Sequence, residues 1–196
     1  TTCDFLIIKN GKIKNKRVSD ISGLDSRELL YTGCARTPLY AHLKEVICDN
    51  KKYNIIPEQF STMSDIYIIL DKLKSQEIYS RVIDGSDNTK SNAYKRVSRS
   101  FGFDFKKSKL NLIYNLSKKI YNNQIKLIEN EIIHHKSNHF KNMYDVRIIG
   151  LGLGHNTIFD ICKKNKIKYE NISKILNAEI KYGSSITKLF SSFAMC

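Results

Sequence analysis

Proline and glycine are scarce in this 196-residue chain, at two and nine, which leaves little material for long flexible linkers. No apolar run approaches the length of a membrane span, and no charged-then-apolar targeting pattern opens the sequence. A cytoplasmic protein with no membrane partner is the expectation. CxxC spacing is absent too: Cys3, Cys34, Cys48, Cys162 and Cys196 stand singly. An odd count in a chain this long argues against a disulfide framework or structural zinc, and for reduced thiols. No initiator methionine precedes Thr1, which runs straight into the strand-like FLIIKNGKI. Acidic residues are also in short supply, 19 Asp and Glu against 33 Lys and Arg, for a net charge of +14.

That surplus admits a nucleic-acid binder, because each basic side chain placed on a phosphate releases counterions. The lysines, however, run from Lys9 to Lys188 and mingle with Asn and Ile throughout. The densest aromatic-basic segment, Tyr94 to Lys107, reads as a binding stripe or equally as a helix with a turn at Gly102. Nucleic acid therefore stays an alternative and does not lead. A hydrophobic content of 41% and an aromatic content of 10% fit a folded core, in one domain or two small ones.

Phe5 to Lys9 reads as a strand, Asn10-Gly11 as a hairpin turn and Lys12 to Val18 as the returning strand. Leu29 to Thr32 reads as a third strand ending at Gly33, and Pro38 fixes the turn that follows. Ser64 is positioned to cap a helix carrying Asp65 in its first turn, with Ile66, Ile69, Leu70 and Leu73 at helical spacing. Further helices are expected over Ser91 to Ser100 and over Leu110 to Ile133, the latter roughly 36 Å long at the usual rise. Val146 to Ile149 is a compact strand entering Gly150-Leu151-Gly152-Leu153-Gly154. Asn156 is placed to cap the next helix, whose stripe is Ile158, Ile161 and Cys162. A short helix near Ser173 to Leu176 and a closing helix over Ile186 to Met195 complete the order.

Four groups of residues carry chemistry. Thr1, Thr2 and Asp4 put small hydroxyls beside a hairpin, which suits phosphate recognition, or is merely good strand composition. Gly150, Gly152 and Gly154 stand between strand and helix, where backbone can approach an anion, or are simple turn residues. A dinucleotide-binding turn wants GxGxxG and this is GxGxG, although Glu170 lies near the acidic position such a fold uses. In YTGCARTP, Arg36 offers a planar fork for a carboxylate or diphosphate, with Thr32 and Thr37 nearby, and Cys34 reads as a small buried thiol. In EQFSTMSDIY and VIDGSDNTK, Glu58, Asp65, Asp84 and Asp87 are hard oxygen donors suited to Mg²⁺, or ordinary capping and turn residues. His134, His135 and His139 lack a specified third partner and read as a solvated helix end.

The opening Thr-Thr-x-Asp hairpin resembles that of the acetate kinase, actin and Hsp70-type ATPases, and YTGCARTPLYAHL narrows the likeness. With EQFSTMSDIY and VIDGSDNTK in register, the chain resembles the hydantoinase A/oxoprolinase-like family, in particular its tetrahydromethanopterin-linked C1-transfer branch. That resemblance implies an α/β, ribonuclease-H-like (actin-like ATPase) domain with a helical insert, its first strand and N-terminal domain missing. The corresponding segments are 1–60, a helical insert over 61–142 and 143–196. It implies a transferase of methanofuran biosynthesis that condenses an aminomethylfuran diphosphate with a tyramine-type phenol. An ATP-dependent amidohydrolase is the alternative. In this reading Asp4, Asp84 and Glu58 are catalytic candidates, and Asp4 and Asp84 are the implied Mg²⁺ ligands. Thr1, Thr2, Thr32, Arg36, Thr37, Gly150, Gly152 and Gly154 would bind phosphate or substrate. Mg²⁺ is the implied cofactor and ATP a further one; the partners are a small phosphorylated substrate and the missing N-terminal domain. Taken alone, the chain is expected to be marginally stable and inactive.

Overall fold

The computed structural model describes residues 2–78, 82–141 and 146–175. Thr1 and the helix expected over Ile186 to Met195 lie outside the described residues. The chain divides into two compact units, residues 1–6 with 15–127, and residues 7–14 with 128–196.

The expected opening strand is interrupted. Only its last two residues are strand, β2 (Ile8–Lys9) in the second unit, while β1 (Cys3–Asp4) in the first unit precedes Phe5. Asn10 and Gly11 have φ of 53° and 69°, the left-handed pair that a tight hairpin needs, and turn the chain into β3 (Lys12–Ile13). The returning strand stops at Ile13 instead of reaching Val18. Beyond it, the backbone N–H groups of Lys16 and Arg17 donate to the Glu28 carboxylate at 2.9 and 3.0 Å, leaving the ladder for a side chain. Ser19 and Ser22 close a capping box on α1 (Asp20–Asp25). β4 (Leu29–Leu30) then pairs antiparallel with β1, Cys3 opposite Leu30.

β5 (Glu45–Cys48) and β6 (Lys51–Asn54) form an antiparallel hairpin that the sequence reading did not anticipate. Its signal was Asp49-Asn50, both left-handed at φ 49° and 58°, after a strand with alternating burial. α2 (Met63–Ile69) is buried throughout and is capped by Thr62, not by Ser64. The Asp65 carboxylate accepts the Thr62 backbone N–H at 3.0 Å, so the helix begins one turn before Ile66. α3 (Lys90–Ser100) starts at Thr89, whose hydroxyl accepts from the Asn92 N–H. α4 (Leu110–His139) runs 30 residues, past the expected end at Ile133. Ile113, Leu116, Ile120, Gln124, Ile128 and Ile132 recur along its buried face at three- and four-residue steps. The boundary between the two units falls within this helix, after Leu127.

In the second unit, β7 (Arg147–Ile149) leads through the glycine run into α5 (His155–Lys164) and returns as β8 (Lys168–Glu170), followed by α6 (Ile172–Ile175). β7 and β8 are parallel, with Ile149 opposite Glu170, which requires the helical crossover between them. Gly154 caps α5, so Asn156 lies inside its first turn and is exposed. The buried stripe is His155, Thr157, Ile161 and Cys162, with Ile158 half-buried. The described residues make a mixed α/β protein whose strands pair in twos. No helix among them is long and apolar enough to cross a membrane.

Candidate functional site

Three segments that are far apart in sequence line one cavity of about 260 Å³ in the first unit. YTGCARTP supplies Ala35 and Arg36, EQFSTMSDIY supplies Gln59, Thr62, Ser64 and Asp65, and VIDGSDNTK supplies Val82, Ile83 and Asn88, with Ile78 beside them. The turn at 33–37 is fastened locally, since the Thr37 hydroxyl accepts the Gly33 N–H at 2.9 Å. Its carbonyl accepts the Met63 N–H at 2.8 Å, which fixes the turn to the start of α2. Arg36 is exposed on this frame and faces the cavity.

Thr32 and Thr37, expected as ligand-binding hydroxyls, are both buried and engaged inside the fold. Thr32 Oγ1 lies 2.8 Å from His42 Nε2 and accepts from Gln124 Nε2 at 2.7 Å. Gln124 Oε1 in turn accepts the Tyr67 hydroxyl at 2.9 Å. This buried chain joins the third strand's exit, α2 and α4 through polar groups that satisfy one another. Burial pushes the His42 ring below its ordinary pKa.

The acidic motifs meet at a residue the sequence reading passed over. Arg96 is 1% exposed, and its Nε and Nη2 both donate to Asp65 Oδ1, at 2.9 and 2.7 Å. Nη1 donates to Ser86 Oγ at 2.9 Å and reaches Asp84 Oδ1 at 3.4 Å, while Nη2 reaches Asn88 Oδ1 at 3.5 Å. Arg99 stands 3.7 Å from the other Asp84 oxygen. Burial pushes the Asp65 carboxyl up, against the Arg96 and Thr62 donors. Burial acts the same way on Asp84, but the Ser86 hydrogen bonds and the two guanidinium groups outweigh it and hold the carboxyl low. A signal for Arg96 did exist. It shares the stripe of Ala93, Val97 and Ser100, and an arginine on an apolar helix face needs a carboxylate partner.

The remaining candidates are dispersed. Asp4 pairs with Arg17 at 2.6 Å and accepts the Thr2 hydroxyl at 3.0 Å. Glu58 and Asp87 are exposed and do not line the cavity. Among the described residues, no group of three or more His, Cys, Asp or Glu side chains is placed to hold a metal ion. Burial raises the Cys34 thiol to about 11 and Cys3 to about 12, which suppresses thiolate chemistry at either. Of the three histidines, His135 departs from the expected solvated helix end: it lies on the buried face of α4, 5.9 Å from the ring of His139, the helix's last residue, while His134 and His139 are half-buried.

In the second unit the glycine run joins β7 to α5. A Cβ on Gly150 would lie 3.0 Å from Tyr169 Cε2 and 3.1 Å from Ile158 Cβ, so packing is tight at this glycine. Gly152 is required by its φ of +78°, while a Cβ on Gly154 would meet nothing within 4 Å. An open cleft of about 680 Å³ lies beside this unit, lined by His155, Asn156, Phe159, Tyr169, Glu170, Asn171 and Ile175. Glu170 is paired there with Arg147 at 3.2 Å and Lys168 at 3.3 Å.

No family model matches the sequence. Two curated proteins do. The chain is similar to two synthases. It is 25% identical over 197 residues to the (4-{4-[2-(gamma-L-glutamylamino)ethyl]phenoxymethyl}furan-2-yl)methanamine synthase of Methanococcus vannielii, covering 100% of this chain and 85% of that protein. It is 25% identical over 195 residues to the synthase of the same name from Methanocaldococcus jannaschii. That match covers 100% of this chain and 55% of the relative, so the chain spans little more than half of it.

Proposed function

We propose that this chain serves a synthase that joins a furan-2-ylmethyl group to a phenol oxygen. The observation that carries the reading is the convergence of the 31–38, 58–67 and 82–90 segments on one cavity faced by Arg36. Similarity over the whole chain to two proteins named for a phenoxymethyl-furan product supports it. In the proposed step the phenol oxygen attacks the furan methylene carbon, the bond from that carbon to diphosphate breaks, and diphosphate leaves with its electron pair. Arg36 suits that leaving group, because a guanidinium fork matches phosphate oxygens and stabilises the charge that develops on them. Ala35, Ile78, Val82 and Ile83 offer an apolar wall for an aromatic ring.

The phenol proton must pass to a base; Asp4, beside the Thr2 hydroxyl, is the candidate to test, although it pairs with Arg17 and does not line the cavity. The described residues offer Mg²⁺ no cluster of three ligands, so any such ion would be held chiefly by the substrate's own diphosphate. The hydantoinase-type kinship and the ribonuclease-H-like architecture belong to the same proposal. A second reading has one observation in its favour. In the parallel β7–α5–β8 unit the residues directly after the glycine run, His155 and Asn156, line a cleft, and such a strand-to-helix turn is a place where nucleotides bind, which favours an ATP-dependent amidohydrolase as the alternative.

The test incubates the whole protein with an aminomethylfuran methyl diphosphate and a glutamyl-tyramine. Phenol-dependent release of pyrophosphate with formation of the ether is expected. Arg36→Ala should lower kcat/KM roughly 10²–10³-fold, the usual loss when a group that stabilises developing charge is removed. No ether, or an Arg36→Ala protein as active as the parent, would sink the reading. Asp4→Asn should lower kcat by at least about a hundredfold if Asp4 takes the proton. Ring opening that depends on ATP would favour the second reading.

A further inference from the structure

We propose that Arg96 is a positioning residue for the 260 Å³ cavity, and that Asp84 serves it by anchoring that arginine instead of taking part in chemistry. The inference rests on the reading of this cavity as the substrate site. Two of Arg96's partners, Asp65 and Asn88, are themselves cavity wall. The guanidinium therefore spans two walls at once: α2, through Asp65, and the 84–88 segment, through Asp84, Ser86 and Asn88. A buried guanidinium is costly to leave unpaired, so both sides are held to it. Lysine could keep one of these ion pairs but has no planar fork with which to reach across to the other.

Charge follows the same geometry. Asp65 would present a negative charge to a cavity read here as taking an anionic group. Its Oδ1 receives two guanidinium N–H groups from Arg96, behind the wall, and its Oδ2 receives the N–H of Thr62, within it, so that charge is compensated by its own donors. Asp84 lies on the outer side of Arg96, with its side chain 25% exposed and Ser86 Oγ donating to Oδ1 at 2.7 Å. Its neighbours are Arg96, Arg99 and Ser86, which suit an anchor better than a proton acceptor.

Arg96→Lys, Asp84→Asn and Arg36→Ala would be compared with the parent in the whole protein, using steady-state kinetics and calorimetric titration with inorganic pyrophosphate. Arg96→Lys should raise KM for the diphosphate substrate roughly tenfold with kcat little changed, the pattern of lost binding. Asp84→Asn should raise KM about threefold, again with kcat little changed. The double variant should be no worse than Arg96→Lys alone, because both changes act through one network. A hundredfold fall in kcat for Asp84→Asn would overturn the proposal and make Asp84 a catalytic residue. Pyrophosphate binding weakened by Arg36→Ala but untouched by Arg96→Lys would overturn this inference alone. Binding unaffected by Arg36→Ala would overturn the cavity reading itself. Where Arg96→Lys does not fold, Asp84→Asn and Ser86→Ala decide, since both stand on the outer side of the network. Unchanged KM in both of those variants counts against the proposal.

Discussion

Replacing Gly150 by alanine should destabilise the second unit by an amount that a neighbouring side chain controls. The added Cβ would sit 3.0 Å from Tyr169 Cε2, 3.1 Å from Tyr169 Oη and 3.1 Å from Ile158 Cβ. Relief requires the Tyr169 ring on β8 to turn aside and Ile158 Cβ, next to the α5 backbone, to give by a few tenths of an ångström. Overpacking of this kind costs about 1–3 kcal/mol. In a chain of this length that lowers the melting temperature by roughly 2–12 °C. Gly152→Ala meets no atoms but forces a φ of +78° on an L residue, which costs roughly 1–2 kcal/mol. Gly154→Ala has neither problem and should stay within about 0.5 kcal/mol, as its lost unfolded-state freedom offsets a poorer helix cap. Thermal melts followed by circular dichroism would rank the three. Hydrogen exchange on β8 would report the second unit by itself, since two units need not unfold together. Tyr169→Leu removes two of the three close contacts, so it should reduce the penalty of Gly150→Ala and leave that of Gly152→Ala unchanged. A Gly150→Ala protein as stable as Gly154→Ala, or a penalty indifferent to Tyr169, would refute the packing argument.

Other perturbations read other parts of the molecule. Gln124→Leu strips partners from the Tyr67 hydroxyl, Thr32 and the Gly33 carbonyl, and should cost about 2–4 kcal/mol in chemical denaturation. Ile113→Ala opens a cavity at a fully buried position of α4 and should cost about 2–5 kcal/mol by the same measurement. Glu28 gives a pH test. Burial raises its carboxyl, but the Lys16 and Arg17 N–H groups and the Asn15 and Ser26 side chains outweigh it and leave it below the ordinary value. Its folded pKa lying below the unfolded one, the stabilisation is complete above about pH 4.3 and fades as pH falls through the folded value. Glu28→Gln should therefore lose stability at pH 7 and show a shallower acid limb, which urea melts at pH 7 and pH 3 would reveal.

Much of the secondary structure is legible without coordinates, because periodicity and turn chemistry are local. The Asn10-Gly11 turn, the helices from Lys90 and Leu110, and the strand before Gly150 all carry signals within a few residues. The misplaced caps had local competitors: Thr62 and Ser64 both suit a helix start, and only the Asp65 carboxylate closing on the Thr62 N–H chooses between them. The β5–β6 hairpin was legible in Asp49-Asn50 but hidden by the polar strand that follows. β8 was less so, since a three-residue parallel strand has no pattern of its own and exists through its pairing with β7.

The candidate site divides along the same line. Sequence alone determined which residue types were available: a guanidinium at Arg36, hydroxyls at Thr32 and Thr37, carboxylates at Asp65 and Asp84, and glycines at 150, 152 and 154. Tertiary structure decided which of them face a cavity. Burial turned the two threonines inward to His42, Gln124 and Gly33, and left Arg36 on the cavity. It brought Asp65 and Asp84, nineteen positions apart, to a single arginine, because a buried guanidinium must collect whatever carboxylates packing places within reach. Residue identity sets the chemistry a side chain can do. Which partner has already claimed it depends on contacts between segments distant in the chain, and no local pattern encodes those.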